Sequence, residues 1–281
     1  MAQTKEKAMQ AVFFLTACIS VLSVLLICIF LFANGIPAIT KIGFGNFIFG
    51  KVWQPANNSY GIFPMIIGSI YVTAGALLLG VPIGILSAIY MAKFCPDKIY
   101  KPLKMAVNLM AGIPSVVYGF FGLVVLVPFV REQTLSMGTG VLTASVLLGL
   151  MILPTIITVS ETAIGAVPES YYEGGLALGA SHERSIFFIV VPAAKRSILA
   201  AIILGLGRAI GETMAVIMVA GNQAVIPTSV TSGVRTLTTN IVMEMGYSTG
   251  LHREALIGTA VVLFVFVLLI NVSFSLMRKE E

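Results

Sequence analysis

The sequence predicts an all-α membrane protein with about six transmembrane helices. Composition is the first reason: of 281 residues, 58% are hydrophobic and 10% are charged, with a mean hydropathy of +1.00. A soluble domain has about a quarter of its residues charged, and no soluble core of this length hides so much apolar surface. The second reason is that the charges leave long empty runs, each able to supply the roughly 20 apolar residues that cross a bilayer. Third, the Lys and Arg residues fall unevenly between the loops that join those runs. Disordered chains, disulfide scaffolds and cytosolic enzymes are excluded. Cys18, Cys28 and Cys95 form no disulfide framework.

No charged residue occurs in 8–40, 52–92, 105–130, 133–160 or 255–277, and 197–234 is interrupted only by Arg208 and Glu212. Trimmed to span length, these runs predict helices at about 11–33, 65–92, 105–130, 141–161, 197–221 and 255–277. In the first span, Leu15-Thr16-Ala17-Cys18 has the look of a lipoprotein cleavage box. The apolar stretch before it, 11–14, is shorter than the 7–15 residues of a signal sequence, and the run continues well past Cys18, so an uncleaved anchor helix is expected. The segment 34–64 is rich in Gly, Asn and aromatics, and Trp53 and Tyr60 read as an interfacial belt. Pro82, Pro114, Pro128 and Pro154 sit in or at spans, where neighbouring helices or a cavity must satisfy the freed backbone groups.

With the N-terminus inside, eleven Lys and Arg residues fall in cytoplasmic segments and five outside, with Arg208 in a span. The positive-inside rule then places both termini in the cytoplasm. The net charge of +5 is an orientation signal, and no nucleic-acid partner is expected.

Catalytic groupings are missing. His182 and His252 lie on opposite sides of the predicted membrane; there is no H-E-x-x-H and no paired Cys at metal spacing. There is no G-x-S-x-G elbow and no phosphate-binding loop. The run 205–211, Gly-Leu-Gly-Arg-Ala-Ile-Gly, has one residue too many for a dinucleotide loop; Gly207 and Gly211 read as helix-packing positions. The chain is expected to be no enzyme and to bind no cofactor. Any ATP must be bound by another chain.

The segment 166–195 joins the fourth and fifth spans. Pro168 suits the first position of a helix, Glu169 and Glu173 its early turns, and Gly179 a left-handed stop. Ser181 suits the cap of a second helix, which runs apolar to Pro192. A helix, a Gly corner and a helix result. Taken alone, this is also what a hairpin lying on a lipid surface looks like. The order Glu173-Gly174-Gly175, three residues, Gly179, nine residues, Ile189, one residue, Val191-Pro192 resembles the EAA loop of ABC importer permeases. That loop reads Glu-Ala-Ala and Leu-Pro where this chain has Glu-Gly-Gly and Val-Pro. The resemblance implies that 166–195 is a cytoplasmic coupling loop, with Glu173, Gly174, Gly175, Gly179, Ile189 and Pro192 docking to an ATP-hydrolysing subunit.

Arg208 and Glu212 are the charges placed deepest in a span, four residues apart on one predicted helix face. A charge at mid-bilayer costs at least about 2.5–3.5 kcal/mol and faces protein or a water-filled cavity. A salt bridge locking the bundle, a gate and an anion contact remain open. The run from Arg208 through Gly211-Glu212-Thr213 to Val216, followed by Gly221-Asn222, is similar to the C-type permease of the phosphate-specific transport (Pst) system. So are Gly112-Ile113-Pro114-Ser115-Val116-Val117-Tyr118-Gly119, Trp53-Gln54-Pro55, Tyr60-Gly61-Ile62 and Met151-Ile152-Leu153-Pro154. This resemblance covers roughly 50–276.

It implies a MetI-like, type I ABC importer permease fold: one transmembrane domain, 1–281, with a permease core at 65–276, in the bacterial inner membrane. It also implies a related second permease, two ATPase subunits carrying ATP-Mg, an extracytoplasmic phosphate-binding protein and inorganic phosphate as substrate. Arg208, Glu212 and Thr213 become expected path or gate residues. Ser115, beside Pro114 at a helix start, is a possible anion contact through free backbone N–H groups, the alternative being a kink where helices pack. The competing functions are a permease for sulfate or molybdate and a non-transport membrane assembly subunit.

Overall fold

The computed structural model describes the backbone of residues 2–277 and the side chains of residue 6 and residues 9–273. In chain order it forms α1 (Ala2–Ile42), α2 (Phe44–Phe49), a hairpin of β1 (Trp53–Gln54) and β2 (Ser59–Tyr60), and α3 (Phe63–Ile89). Next come α4 (Asp97–Gly112), α5 (Ser115–Phe121), α6 (Val127–Thr134), α7 (Val141–Gly165), α8 (Glu169–Ala177), α9 (His182–Ser185) and α10 (Val191–Ala193). The chain ends with α11 (Lys195–Gly211), α12 (Met214–Val219), α13 (Leu237–Met245) and α14 (Gly250–Met277). Wider π turns continue α3 (Tyr90–Phe94), join α5 to α6 (Gly122–Leu126) and join α9 to α10 (Ile186–Val190).

Among the described residues, five helices are long and apolar enough to span a bilayer: Met9–Ile42, Phe63–Phe94, Ser115–Thr134, Val141–Gly165 and Gly250–Ser273. The pair His182–Ala193 and Lys195–Gly211 is bent by 68° at its break and brings the number to six only if it is counted as one span; its second arm, α11, covers most of the expected fifth span. Two expected spans are corrected in detail. The run 105–130 is not one helix: Pro114 lacks the N–H of a helical ladder and pushes Ile113 to extended geometry (φ −72, ψ 126), so α4 and α5 separate. The run 197–221 breaks at extended Glu212 (φ −69, ψ 130) into α11 and α12.

α7 is the central helix. Leu147, Leu148, Met151, Ile152 and Ile156 are fully buried along it. α3 lies close against it because the facing α3 positions are glycines: a Cβ on Gly80 would sit 2.8 Å from Ile152, and one on Gly84 2.7 Å from Ile156. On the other flank the packing glycine of α11 is Gly205, whose Cβ would meet Ile156 at 3.1 Å. Gly207 and Gly211, expected to serve that purpose, face open space. α1 is peripheral, with much of its length exposed; its last turns rest on α14, where Phe32 meets Phe264 edge-on at 5.8 Å. Leu15 to Cys18 lie within this uninterrupted helix.

The loops gather at two ends of the bundle. One carries the α8–α10 hairpin and the start of α4. The other carries the β-hairpin, the 220–236 loop and α13. Trp53 and Tyr60 are buried at this second end, against Phe47, Ile62, Met65, Leu237 and Leu256. They belong to a packed cap and not to the interfacial belt that their composition suggested.

Candidate functional site

The two breaks lie side by side. α5 packs on α12 through Gly119, where a Cβ would fall 2.9 Å from Ala215 Cα and 2.7 Å from Met218 Sδ, so a side chain there would part the helices. Each break is stitched by polar groups, as freed backbone in an apolar surround requires. At the first, Tyr118 Oη donates to the Met110 carbonyl at 2.9 Å. At the second, Glu212 Oε1 accepts from the N–H groups of Thr213 and Ala215, both at 3.2 Å. The Thr213 hydroxyl donates back to Gly211 O at 3.2 Å, and Thr238 Oγ1 donates to Glu212 O at 3.1 Å.

This geometry corrects the expected Arg208–Glu212 pair. Spacing of four brings side chains together only on a continuous helix, and Glu212 lies past the end of α11, where its carboxylate caps α12 instead. No ion pair joins the two among the described residues. Arg208 is half-buried and approaches Thr155 Oγ1 of α7 at 3.5 Å. Ser115, half-buried, stands one turn from Tyr118 at the N-terminal end of the helical run Ser115–Thr134.

The 166–195 segment folds as a helical hairpin. Pro168 is the residue before α8, one position earlier than the sequence suggested, and Gly179 turns the chain at φ +81. Ser181 caps α9, its Oγ accepting from Arg184 N at 3.3 Å. Hydrogen bonds from its own N–H and from Ser181 hold the Glu183 carboxyl below the usual carboxylate range. The arms close where Gly175 is buried: a Cβ there would sit 2.7 Å from both Ser185 Oγ and Ile189 Cδ1. Gly174 faces open space, and Glu173 and Pro192 are exposed. So are Leu178 (90%) and Phe188 (75%), which leaves an apolar tip unusual for a polar loop. His182 donates to or accepts from Tyr172 Oη at 2.7 Å across the arms, and Lys93 reaches Glu169 at 3.5 Å, tying the hairpin to the end of α3.

Two ionic clusters escaped the sequence reading. Glu161, buried in α7, pairs with Lys104 of α4 and accepts from Tyr100 Oη at 2.6 Å. That hydrogen bond, then burial and the carboxylate charge, pushes the Tyr100 phenol above its ordinary value. The cluster sits at a cavity of about 400 Å³ that Asp97, Cys95 and Thr162 also line. At the opposite end, buried Glu244 accepts from Arg235 at 2.7 Å, Trp53 Nε1 at 2.9 Å and His252 Nε2 at 2.8 Å. Arg235 also donates to Asn240 Oδ1 at 3.1 Å and to Asn222 O at 3.0 Å. Arg235 and Glu244 are nine residues apart, so no helical spacing rule flagged them. For Glu161, the one-turn spacing of Tyr100 and Lys104 on α4 was the available signal.

Comparison with known proteins places this architecture. The family model described as the binding-protein-dependent transport system inner membrane component matches residues 80–279. The chain is 40% identical over 270 residues to the probable ABC transporter permease protein YqgH of Bacillus subtilis (strain 168), covering 91% of this chain and 87% of that protein. It is 34% identical over 277 residues to the phosphate transport system permease protein PstC of Mesorhizobium japonicum, covering 90% and 84%. Its fold matches a chain of the MetNI methionine ABC transporter in an inward-facing conformation, with a TM-score of 0.61 at 20% identity over 82% of this chain and 99% of that one. The bundle of apolar helices and the matched residues together establish that the chain belongs to the binding-protein-dependent transport system inner membrane components, a family of ABC transporter permeases.

Proposed function

We propose that the chain is the permease subunit of an ATP-driven inorganic phosphate importer. Similarity to a phosphate transport permease along nearly the whole chain carries this reading. The paired breaks fit it: an anion passing between the half-helices meets Arg208, the start of α5 at Ser115 and the Glu212–Thr213 turn. On this reading the carboxylate of Glu212, fixed as a cap, repels phosphate from one side while Arg208 attracts it from the other. The turn is then a point at which the path opens or closes.

The chain forms half of the pore, and a related second permease supplies the rest. The α8–α10 hairpin is the cytoplasmic coupling element, its exposed Leu178 and Phe188 entering a groove on one of two ATPase subunits. Those subunits bind ATP-Mg; this chain binds no cofactor. Both termini lie in the cytoplasm, and an extracytoplasmic phosphate-binding protein docks on the opposite end of the bundle.

The test is phosphate uptake by the assembled complex in proteoliposomes. Arg208→Gln and Glu212→Gln are each expected to lower uptake more than tenfold with all subunits present. Normal uptake in both variants would overturn the path assignment. Glu173→Lys is expected to leave the permease in the membrane while releasing the ATPase; undiminished co-purification would overturn the coupling assignment.

A further inference from the structure

The helix break at Glu212 is held from outside its own span. α11 ends at Gly211, and the Glu212 carbonyl accepts the hydroxyl of Thr238 at 3.1 Å. Thr238 is buried in the first turn of α13, where it also contacts the Thr236 hydroxyl at 3.0 Å. α13 is fixed there by a capping box in which Thr236 and Thr239 serve each other's backbone N–H, and Ser69 Oγ of α3 accepts from Leu237 N at 3.0 Å. Its other end carries Glu244, the acceptor for Arg235, Trp53 and His252. Thr238 and Glu244 are six residues apart, about 9 Å along a helix. A short strut therefore joins two polar centres: the break in α11–α12, and a buried cluster assembled from the β-hairpin, the loop before α13 and the start of α14.

Nothing about helix stability requires this link. α13 is already capped by Thr236 and Thr239 and packed through Leu237, which is fully buried. The Thr238 hydroxyl has a further partner in Thr236, yet it is directed at the carbonyl that only a broken helix leaves free.

We propose that Thr238 is a positioning residue for the Glu212–Thr213 turn, and that α13 transmits the state of the Glu244 cluster to that turn. The inference rests on the reading that this turn lies on the phosphate path. A rearrangement at the β-hairpin or at the start of α14 shifts Glu244. Because a short helix moves as a rigid piece, it shifts the Glu212 carbonyl with it.

The experiment uses the complete complex in proteoliposomes, with binding protein and ATP. Thr238→Val removes the hydroxyl at nearly constant volume. It is expected to lower the maximal rate of phosphate uptake roughly fivefold, about the factor of one neutral hydrogen bond. The phosphate concentration at half-maximal rate and the yield of assembled complex are expected to be unchanged. Thr238→Ser is expected to restore the rate. Glu244→Gln is expected to lower the same rate, and the double variant Thr238→Val/Glu244→Gln to be no slower than the slower single, because the two act through one strut.

A normal rate in Thr238→Val would overturn the proposal. So would losses that multiply in the double variant, a loss that tracks the yield of complex, or a Ser variant that fails to recover. Failure of the underlying reading looks different: the wild-type complex itself would take up no phosphate. The ratio of ATP hydrolysis with and without binding protein would then supply the same comparison among the variants.

Discussion

Two adjacent glycines in the coupling hairpin, Gly174 and Gly175, are expected to respond in opposite directions to the same substitution. Both lie inside α8, where replacing Gly by Ala favours the helix by about 1 kcal/mol. At Gly174 the new methyl meets nothing within 4 Å, so the gain is realised in full. At Gly175 the methyl is placed 2.7 Å from Ser185 Oγ and Ile189 Cδ1, and 3.2 Å from Ser185 Cβ. The Ile189 methyl and the Ser185 hydroxyl can rotate away, but the Ser185 Cβ is fixed by its backbone and must yield by a few tenths of an ångström. Overpacking costs about 1–3 kcal/mol, and the rotatable neighbours put this site in the lower half of that range. Gly175→Ala therefore comes out level or about 1 kcal/mol destabilising, and the two variants differ by about 1–2 kcal/mol. Hydrogen exchange of the α8 amides in the purified complex reads this directly, since 1.4 kcal/mol is a factor of ten in an opening equilibrium. Gly174→Ala should slow exchange about fivefold, while Gly175→Ala should leave it unchanged or faster. Equal slowing in both would show that the arms of the hairpin do not meet at Gly175.

Three further perturbations test other parts of the fold. Lys104→Met leaves the buried Glu161 carboxylate with Tyr100 alone and should destabilise by about 3 kcal/mol; the double variant with Glu161→Gln should recover most of that melting midpoint, and a double variant worse than the single would contradict the pairing. Trp53→Phe keeps the aromatic packing but removes the indole donor to Glu244, at a cost of about 1–2 kcal/mol because Arg235 and His252 remain; an unchanged melting midpoint would remove Trp53 from the cluster. Ser181→Ala should loosen the second arm of the hairpin by about 1 kcal/mol, seen as faster exchange confined to α9, and exchange unaffected there would deny Ser181 its capping role.

Charge-free runs located the spans because lipid exposure permits little else. They could not show which spans are continuous. Pro114 marked one break openly. The break at Glu212 has no proline: it exists because the Glu212 carboxylate, Thr213 and a distant Thr238 together satisfy the freed backbone, and only the fold brings Thr238 there. The same limit explains the corrected Arg208–Glu212 pair, since helical spacing presumes a helix at both residues. The hairpin was legible almost residue by residue, because its signals — Gly179 at the corner, Ser181 at the cap — are local. The Arg235–Glu244–His252–Trp53 cluster was not, because its members come from four separate segments and belong to no single period. Trp53 and Tyr60 were misread for a related reason: composition alone does not distinguish an aromatic at a lipid interface from one in a packed cap.

The central claim is that phosphate crosses the membrane through this chain. It is tested most directly by the uptake of radiolabelled phosphate, beside radiolabelled sulfate, into proteoliposomes holding the assembled complex with its binding protein and internal or external ATP as orientation requires. Phosphate uptake that depends on ATP, is abolished in Arg208→Gln, and is undiminished by a large excess of sulfate is the predicted result. Sulfate uptake in its place, or ATP-dependent phosphate uptake unaltered by the loss of Arg208, would contradict the account.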